Sequence, residues 1–288
     1  MRFERYIRAS SIEECIELLG QYGPAAKLLA GGTDLIPRLR AGTASAKMLI
    51  DITRLPELTA FRCDENSLFL GAAQRLRALS REMALPGPLA VIGECAGHVS
   101  SMQIRNIATL GGNNCNASPS ADTVPGLLLL DAVAHIRGAG GVRKLPIGDF
   151  LFGPGKTALA QDEVLLGFHI TNPAKRTGAA YCKFTIRGDS DITIVGAGAL
   201  LTLGEDGRIL DARLTLASVG PTALRMLEAE NLLRGEMPNN ALYEQVANLC
   251  AKECAPISDQ RASASYRREM VAVWSKTALE SAVRRANV

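Results

Sequence analysis

The chain has 288 residues, of which 47% are hydrophobic and 21% are charged, with a formal net charge of +3. This composition is typical of a globular protein and excludes an extended disordered chain, and the length allows two domains with a substantial core. The small charge argues against nucleic acid or a membrane surface as partner. No apolar stretch approaches the roughly 20 residues that span a bilayer, and the first residues form no signal-peptide core, so we expect a cytoplasmic protein.

The first third of the chain predicts a small unit of alternating helices and strands. Ser10 and Ser11 begin two overlapping capping boxes, and apolar residues at helical spacing follow as far as Leu19. The elements predicted next are a strand at residues 27–30, a glycine pair, a short helix over residues 34–41 with Thr33 as its N-cap, and a strand at residues 48–52.

The rest of the chain predicts a second unit and then a change of pattern near residues 172–178, which are polar and contain proline and glycine. Strands are expected before this boundary at residues 67–71, 133–137 and 164–170, with a helix near residues 88–96. Strands are expected after it at residues 181–187, 192–203 and 209–219, followed by helices at residues 222–234, 240–254 and 263–285. A run of strands followed by a run of helices indicates an α+β domain.

Two glycine pairs, Gly31-Gly32 and Gly111-Gly112, each follow a short apolar run that predicts a buried strand. Paired glycines allow a positive φ and let a ligand approach the backbone without a Cβ in the way. Tight turns are the alternative interpretation of either pair. The first pair precedes a predicted helix start, whose free N–H groups favour an anion.

The second pair is followed by a polar stretch that can hold irregular backbone or bind a hydroxyl-rich ligand such as a ribityl chain. Its polar residues are Asn113, Asn114, Asn116, Ser118, Ser120 and Asp122. Asp122 can act as a helix N-cap before residues 127–130 or bind a ligand, and these two roles are compatible.

Several common catalytic and nucleotide-binding motifs are absent or incomplete in this chain. Residues 153–157 end like a triphosphate-binding loop but lack its first glycine, because position 150 is Phe150. There is no G-x-G-x-x-G after a strand and no G-x-S-x-G, and no close pair of carboxylates stands out for acid–base chemistry. The seven cysteines contain no C-x-x-C, so neither a disulfide framework nor a zinc site is expected. A cofactor cradle without acids or nucleophiles suits redox chemistry carried by the cofactor itself.

Taken together, these segments resemble the FAD-binding subunit of the molybdenum hydroxylases, which include xanthine dehydrogenase, carbon monoxide dehydrogenase and aromatic-acid or N-heterocycle hydroxylases. The resemblance covers nearly the whole chain, and its details are most similar to bacterial xanthine dehydrogenase FAD-binding subunits. The matching segments are residues 29–34, 103–113, 115–122, 153–157, 220–225 and 263–267, together with Lys183, Arg187 and Asp191.

The resemblance implies an α+β fold, with a two-subdomain FAD-binding fold of the PCMH/VAO type followed by a three-stranded antiparallel sheet and a three-helix bundle. The FAD-binding domain would comprise residues 1–172, with subdomains of about 1–54 and 55–172, and the C-terminal CO dehydrogenase flavoprotein-like domain residues 178–288. The implied FAD-binding residues are Lys27, Leu28, Leu29, Ala30, Gly31, Gly32, Thr33, Asp34, Thr109, Leu110, Gly111, Gly112, Asn113, Asp122, Leu165 and Lys183. No catalytic or metal-ligating residue is expected.

The function implied by the resemblance is electron transfer within a heterotrimer. A large subunit with a molybdenum cofactor would oxidise the substrate, a small [2Fe-2S] subunit would pass electrons to FAD here, and NAD or another acceptor would receive them. The alternatives are a self-contained flavin oxidase and the FAD subunit of a different molybdenum hydroxylase. A self-contained oxidase would need a substrate domain with a catalytic base, for which the last 110 or so residues offer no candidate.

Overall fold

The computed structural model describes residues 3–81, 83–188 and 190–287. The predicted domain ends at residues 1 and 288 lie outside the described residues. The chain begins with a three-stranded parallel sheet of order β1-β3-β2. Its elements are β1 (Arg5–Arg8), α1 (Ile12–Tyr22), β2 (Ala26–Leu29), α2 (Leu35–Arg40) and β3 (Met48–Asp51).

The start of α1 follows the predicted capping box. Ser11 is the N-cap and its hydroxyl accepts a hydrogen bond from the Glu14 N–H at 3.1 Å. The Glu14 carboxylate in turn accepts from the Ser10 N–H at 2.7 Å. The prediction for α2 is wrong in one respect, because Asp34 rather than Thr33 occupies the N-cap and no side chain caps the helix.

The second sheet has five strands in the order β4-β5-β10-β6-β7, and all its neighbouring strands are antiparallel. The elements of this part in chain order are β4 (Phe61–Cys63), β5 (Ser67–Gly71), α3 (Leu76–Arg81), α4 (Ala90–Gly97), α5 (Met102–Arg105), α6 (Leu110–Cys115), α7 (Thr123–Leu129), β6 (Val133–Gly138), β7 (Gly141–Pro146), the hairpin β8 (Leu151–Gly153) and β9 (Lys156–Thr157), and β10 (Val164–Thr171).

The C-terminal sheet contains the three predicted strands and one more. Its antiparallel strands are β11 (Thr177–Phe184), β12 (Val195–Leu203), β13 (Ile209–Ala217) and β14 (Leu224–Arg225), and the helices that follow are α8 (Leu227–Leu233), α9 (Asn240–Glu253) and α10 (Ala264–Ala286). The short β14 pairs with β13 and delays the start of the helix predicted at residues 222–234. Arg225 then forms a 2.7 Å ion pair with the buried Glu230 of α8.

One hydrophobic core joins the first two sheets and extends to Ala179, Tyr181 and Leu200 of the C-terminal sheet. The first sheet therefore shares its core with the second, although a small separate cluster around Leu39 and Leu49 underlies α2. The α+β class is confirmed. Across the described ranges, no helix combines the length and the apolar character needed to cross a membrane.

Candidate functional site

The first glycine loop follows β2, which is an edge strand of its sheet. Residues 27–33 are all partly exposed there, so they form a continuous accessible stretch of backbone. Gly32 has φ +69°, a conformation that favours glycine. Among the described residues, the N–H groups of Gly31, Gly32 and Thr33 have no hydrogen-bond acceptor. Three successive amides without an acceptor are available to bind an anion.

The two glycine loops lie in direct contact. A Cβ on Gly31 would overlap the carbonyl oxygen of Ile107 and come within 2.8 Å of the Ala108 Cα. The Asn116 side chain also donates a 3.2 Å hydrogen bond to the Asp34 carboxylate, which joins the loops a second time. The structure therefore places the first loop against residues 107–108 and 116, which flank the second glycine pair, and joint binding of FAD by residues 27–34 and 109–113 stays a prediction.

The second glycine loop uses its amides within the protein. Thr109 is the N-cap of α6 and accepts from the Gly112 N–H at 3.1 Å. The Gly111 N–H donates to the Ala72 carbonyl at 2.7 Å, and the Leu110 N–H donates to the Gln74 carbonyl at 2.9 Å. A Cβ on Gly111 would lie 2.5 Å from the Ala72 Cβ, so close packing by itself requires this glycine.

Asp122 lies in a buried polar cluster, and its side chain does not cap the helix that it precedes; ligand binding by Asp122 stays a prediction. It is the N-cap residue of α7, but its side chain makes no capping bond. Its carboxylate instead accepts from the Tyr181 hydroxyl at 2.9 Å, the Thr193 hydroxyl at 2.6 Å and the Lys183 ammonium at 3.0 Å. We call these four residues the Asp122 cluster.

The Asp122 cluster connects the second sheet region to the C-terminal sheet. The Lys183 side chain is 2% exposed, and its ammonium also donates to the His98 carbonyl at 2.7 Å. Burial raises the pKa of Tyr181 well above its usual value, and the neighbouring Asp122 charge raises it further. Tyr181 therefore stays a neutral donor, and Lys183 and Asp122 form a buried ion pair.

The second loop approaches this cluster through α7. Thr123, next to Asp122, donates its hydroxyl to the Asn113 side chain at 2.5 Å.

Leu165 is less directly connected to the other predicted residues. It is buried within β10 opposite Ile136, and the neighbouring Leu166 carbonyl accepts from the Ala72 N–H. A contact between Leu165 and the cofactor stays a prediction.

Tyr181 and Thr193 are not among the site residues predicted from the sequence. Tyr181 had a detectable signal, because it stands two residues before Lys183 in a predicted strand and so shares its face. Thr193 had none, since 71 residues separate it from Asp122.

The observed geometry fits a bound FAD. The free amides of the first loop suit a pyrophosphate, because consecutive N–H groups bind phosphate oxygens. The Asn116 side chain reaches Asp34 at the end of this loop, and an amide side chain suits hydroxyl groups of a ligand. The residues present thus form a binding surface for a redox cofactor.

Comparisons with known proteins identify the family. The model of the FAD binding domain in molybdopterin dehydrogenase matches residues 1–173, and that of the CO dehydrogenase flavoprotein C-terminal domain matches residues 179–282. The xanthine dehydrogenase FAD-binding subunit of Escherichia coli O157:H7 is 33% identical, over 98% of this chain and 96% of its own length.

Solved structures agree with the family assignment. A carbon monoxide dehydrogenase chain from Hydrogenophaga pseudoflava has a TM-score of 0.94 and 32% identity, covering 99% of this chain and 98% of its own. Quinoline 2-oxidoreductase from Pseudomonas putida 86 has a TM-score of 0.92 and 26% identity, covering 100% of both chains. The chain therefore belongs to the FAD-binding subunits of the molybdenum hydroxylases, an oxidoreductase family, and its cofactor is FAD.

Proposed function

We propose that this chain receives electrons from [2Fe-2S] clusters on a small partner and passes them through FAD to NAD or another acceptor. In this proposal a large partner holds the molybdenum cofactor and oxidises a heterocycle such as a purine, and the heterotrimer is cytoplasmic. The observation that carries the proposal is the run of free amides at Gly31, Gly32 and Thr33 in a chain of this family. The similarity to CO dehydrogenase favours a second candidate, the FAD subunit of a different molybdenum hydroxylase.

In this proposal the two predicted domains and the two glycine loops have separate tasks. Residues 1–172 form the FAD-binding domain, with a division near residue 54, and residues 178–288 form the C-terminal domain. The backbone of residues 27–33 binds the pyrophosphate through its free N–H groups. The second loop holds the first loop in position through the contact at Gly31. Lys183 and Asp122 fix the boundary between the two domains.

Bound FAD supplies the exchange between one-electron and two-electron carriers. The protein's task is to bind and orient it. The Asp122 cluster contributes a buried ion pair, and three of its members donate to one carboxylate. That carboxylate is engaged by protein donors, so we assign Asp122 to holding Lys183 in place.

The test is Gly31→Ala, with Gly20→Ala as matched control. The added methyl at Gly31 overlaps the Ile107 carbonyl and must separate the loops, whereas a methyl at Gly20 meets nothing within 4 Å. FAD per chain should fall at least about tenfold in the first variant, since the pyrophosphate contacts depend on this geometry, and stay unchanged in the second. Absorbance of released flavin and circular dichroism measure cofactor content and fold on the same sample.

The same variants test the electron route in the assembled complex. A flavin-free Gly31→Ala complex with intact metal content should still oxidise substrate when a dye accepts electrons from the clusters. It should lose NAD reduction, because hydride transfer needs a two-electron carrier. Loss of both activities would place this chain in the substrate step, and retention of NAD reduction without flavin would remove its role as the electron exit.

A further inference from the structure

Helix α7 is held by the C-terminal domain at both of its ends. All seven of its residues are buried, and the helix packs against α4, β12 and β13. The Asp122 cluster lies at its first end. At its last end two arginines meet it, Arg213 of β13 and Arg225 of β14. Arg225 is the last residue of segment 220–225, which carries the family resemblance and has no role in the site described above.

The two arginines bind the backbone at the end of α7. Arg225 donates to the Leu128 carbonyl at 3.1 Å, and Arg213 donates to the Leu129 carbonyl at 2.9 Å. The last carbonyls of a helix lack intrahelical donors, and a cation is favoured beside them. Asp131, with a φ of +46°, also pairs with Arg225 at 2.7 Å and with Arg213 at 3.0 Å. The end of α7 therefore has four charge-assisted contacts with the C-terminal domain.

Arg225 is itself fixed by a buried carboxylate. Its Nε and one terminal nitrogen donate to the two oxygens of Glu230, at 2.7 and 2.9 Å, and Glu230 is 1% exposed. Glu230 also accepts from the Leu214 N–H of β13 at 2.9 Å. A bidentate pair fixes the plane of a guanidinium. The C-terminal domain therefore presents the remaining nitrogen of Arg225 to α7 in one orientation.

The first end of α7 is linked to the second glycine loop. The Thr123 hydroxyl donates to the Asn113 side chain and accepts from the Asn114 side chain at 3.1 Å. A helix of this length spans about 10 Å, and a close-packed interior transmits strain. A displacement of α7 at its arginine end therefore moves Thr123, and Asn113 and Asn114 move with it.

We propose that Arg213 and Arg225 are positioning residues for FAD. They hold α7 where Thr123 orders Asn113 and Asn114, so the C-terminal domain sets the position of the second glycine loop. The inference rests on the proposed function, in which that loop takes part in FAD binding. It adds a role for the arginine of segment 220–225 that is exerted through α7, without contact with the cofactor.

The experiment measures the dissociation constant for FAD of the full chain, which is freed of flavin and then titrated with FAD in equilibrium dialysis. Arg225→Met and Arg213→Met should each raise this constant roughly 2- to 30-fold, the range for residues that couple to a site through packing. Arg213→Met keeps the pair of Arg225 and Glu230 intact, so it decides the test if Arg225→Met does not fold.

Arg234→Met is the matched control. Arg234 also pairs with Glu230, at 3.6 Å, but its partners among the residues that the structure describes all lie in the C-terminal domain. Its dissociation constant for FAD should stay unchanged. The visible circular dichroism of bound flavin, recorded at saturating FAD, should change in Arg213→Met and not in Arg234→Met. A loss of protein stability alone would not produce that difference.

Thr123→Val tests the route through α7. Valine keeps the shape of the side chain and removes the hydroxyl that joins Asn113 and Asn114, so this variant should also bind FAD more weakly. Adding Arg213→Met to it should weaken binding little further, because two changes on one route are not additive.

Far-UV circular dichroism of each sample identifies the folded variants. An unchanged constant in folded Arg213→Met would overturn the proposal, and so would an equal rise in Arg234→Met. Effects of Arg213→Met and Thr123→Val that multiply would also overturn it, since they would exclude the route through Thr123. If Gly31→Ala and Thr123→Val both leave FAD binding unchanged, the proposed cradle is wrong and this proposal fails with it. A rise in Thr123→Val without one in Arg213→Met would overturn the role of the arginines alone.

Discussion

The buried pair of Asp122 and Lys183 provides a quantitative test of what holds the domains together. The two side chains are 6% and 2% exposed and 3.0 Å apart. Asp122→Asn removes the negative charge and turns an amide or a carbonyl toward the Lys183 ammonium. The Tyr181 and Thr193 hydroxyls keep an acceptor, so the main loss is the charge partner of Lys183.

The expected cost follows from the burial of the remaining charge. Removing one partner of a buried ion pair costs about 3–5 kcal/mol, mostly because the other charge stays desolvated. For 288 residues, an unfolding entropy of about 2.1 cal/mol/K per residue makes that a fall in Tm of roughly 5–8 °C. Replacing both residues, as in Asp122→Asn with Lys183→Met, removes the buried charges together and should cost less than the sum of the single changes.

The assay is urea unfolding of wild type, both single variants and the double variant, each prepared with and without FAD. The flavin-free series measures the protein's own stability, and the difference between the series gives the FAD contribution. A loss below about 1 kcal/mol for Asp122→Asn would contradict the reasoning, because that is the range of exposed ion pairs. Additive single effects would also contradict it, since they would mean that the two charges do not interact.

Two further predictions concern Asp51, which pairs with Leu29 just before the first glycine loop, and Gly111 in the second. Burial acts to raise the pKa of Asp51, but hydrogen bonds led by those from Thr53 outweigh it and bring the pKa to about 2, below the ordinary 3.8. Asp51 should therefore contribute about 2 kcal/mol of stability above pH ~4, and this contribution is lost as the pH falls toward 2. The free energies of unfolding of wild type and Asp51→Asn, measured in urea, should converge over that range. A difference that stays constant with pH would refute this. Gly111→Ala should destabilise the chain by about 1–3 kcal/mol through overpacking against Ala72, whose Cβ would lie 2.5 Å away. Adding Ala72→Gly should restore part of that loss in the same unfolding assay, and no recovery would mean that another contact requires Gly111.

The elements that sequence predicted well are those encoded locally. The capping box at Ser11 and the three long C-terminal strands depend on residues within a few positions of one another. Thr33 and Asp34 are both good N-caps, so local preference could not choose between them. The two-residue strand β14 forms only because β13 offers an edge to Leu224 and Arg225, and no periodicity is measurable over two residues.

The Asp122 cluster shows which contacts of a predicted site residue a local motif does not contain. Its three donors come from 59, 61 and 71 residues further along the chain. Capping and ligand binding were the two roles that the neighbouring sequence suggested for Asp122. The fold adds three protein donors to its carboxylate, a contact set that depends on how β11 lies against α7, and ligand binding by Asp122 stays a prediction.

The two glycine loops look equivalent as motifs but differ in what their backbones do. In the first loop the N–H groups of Gly31, Gly32 and Thr33 are free, and Gly31 is needed because the second loop touches it. In the second loop the N–H groups of Gly111 and Gly112 already have acceptors within the protein. An anion is held best by donors that are not already engaged, and this difference supports the proposal that the pyrophosphate binds at the first loop. Substitutions at the second loop are then expected to change flavin binding indirectly, through protein stability and loop position. Gly31 is therefore a better test position than Gly111, because a substitution there can remove the cofactor without disrupting the hydrophobic core.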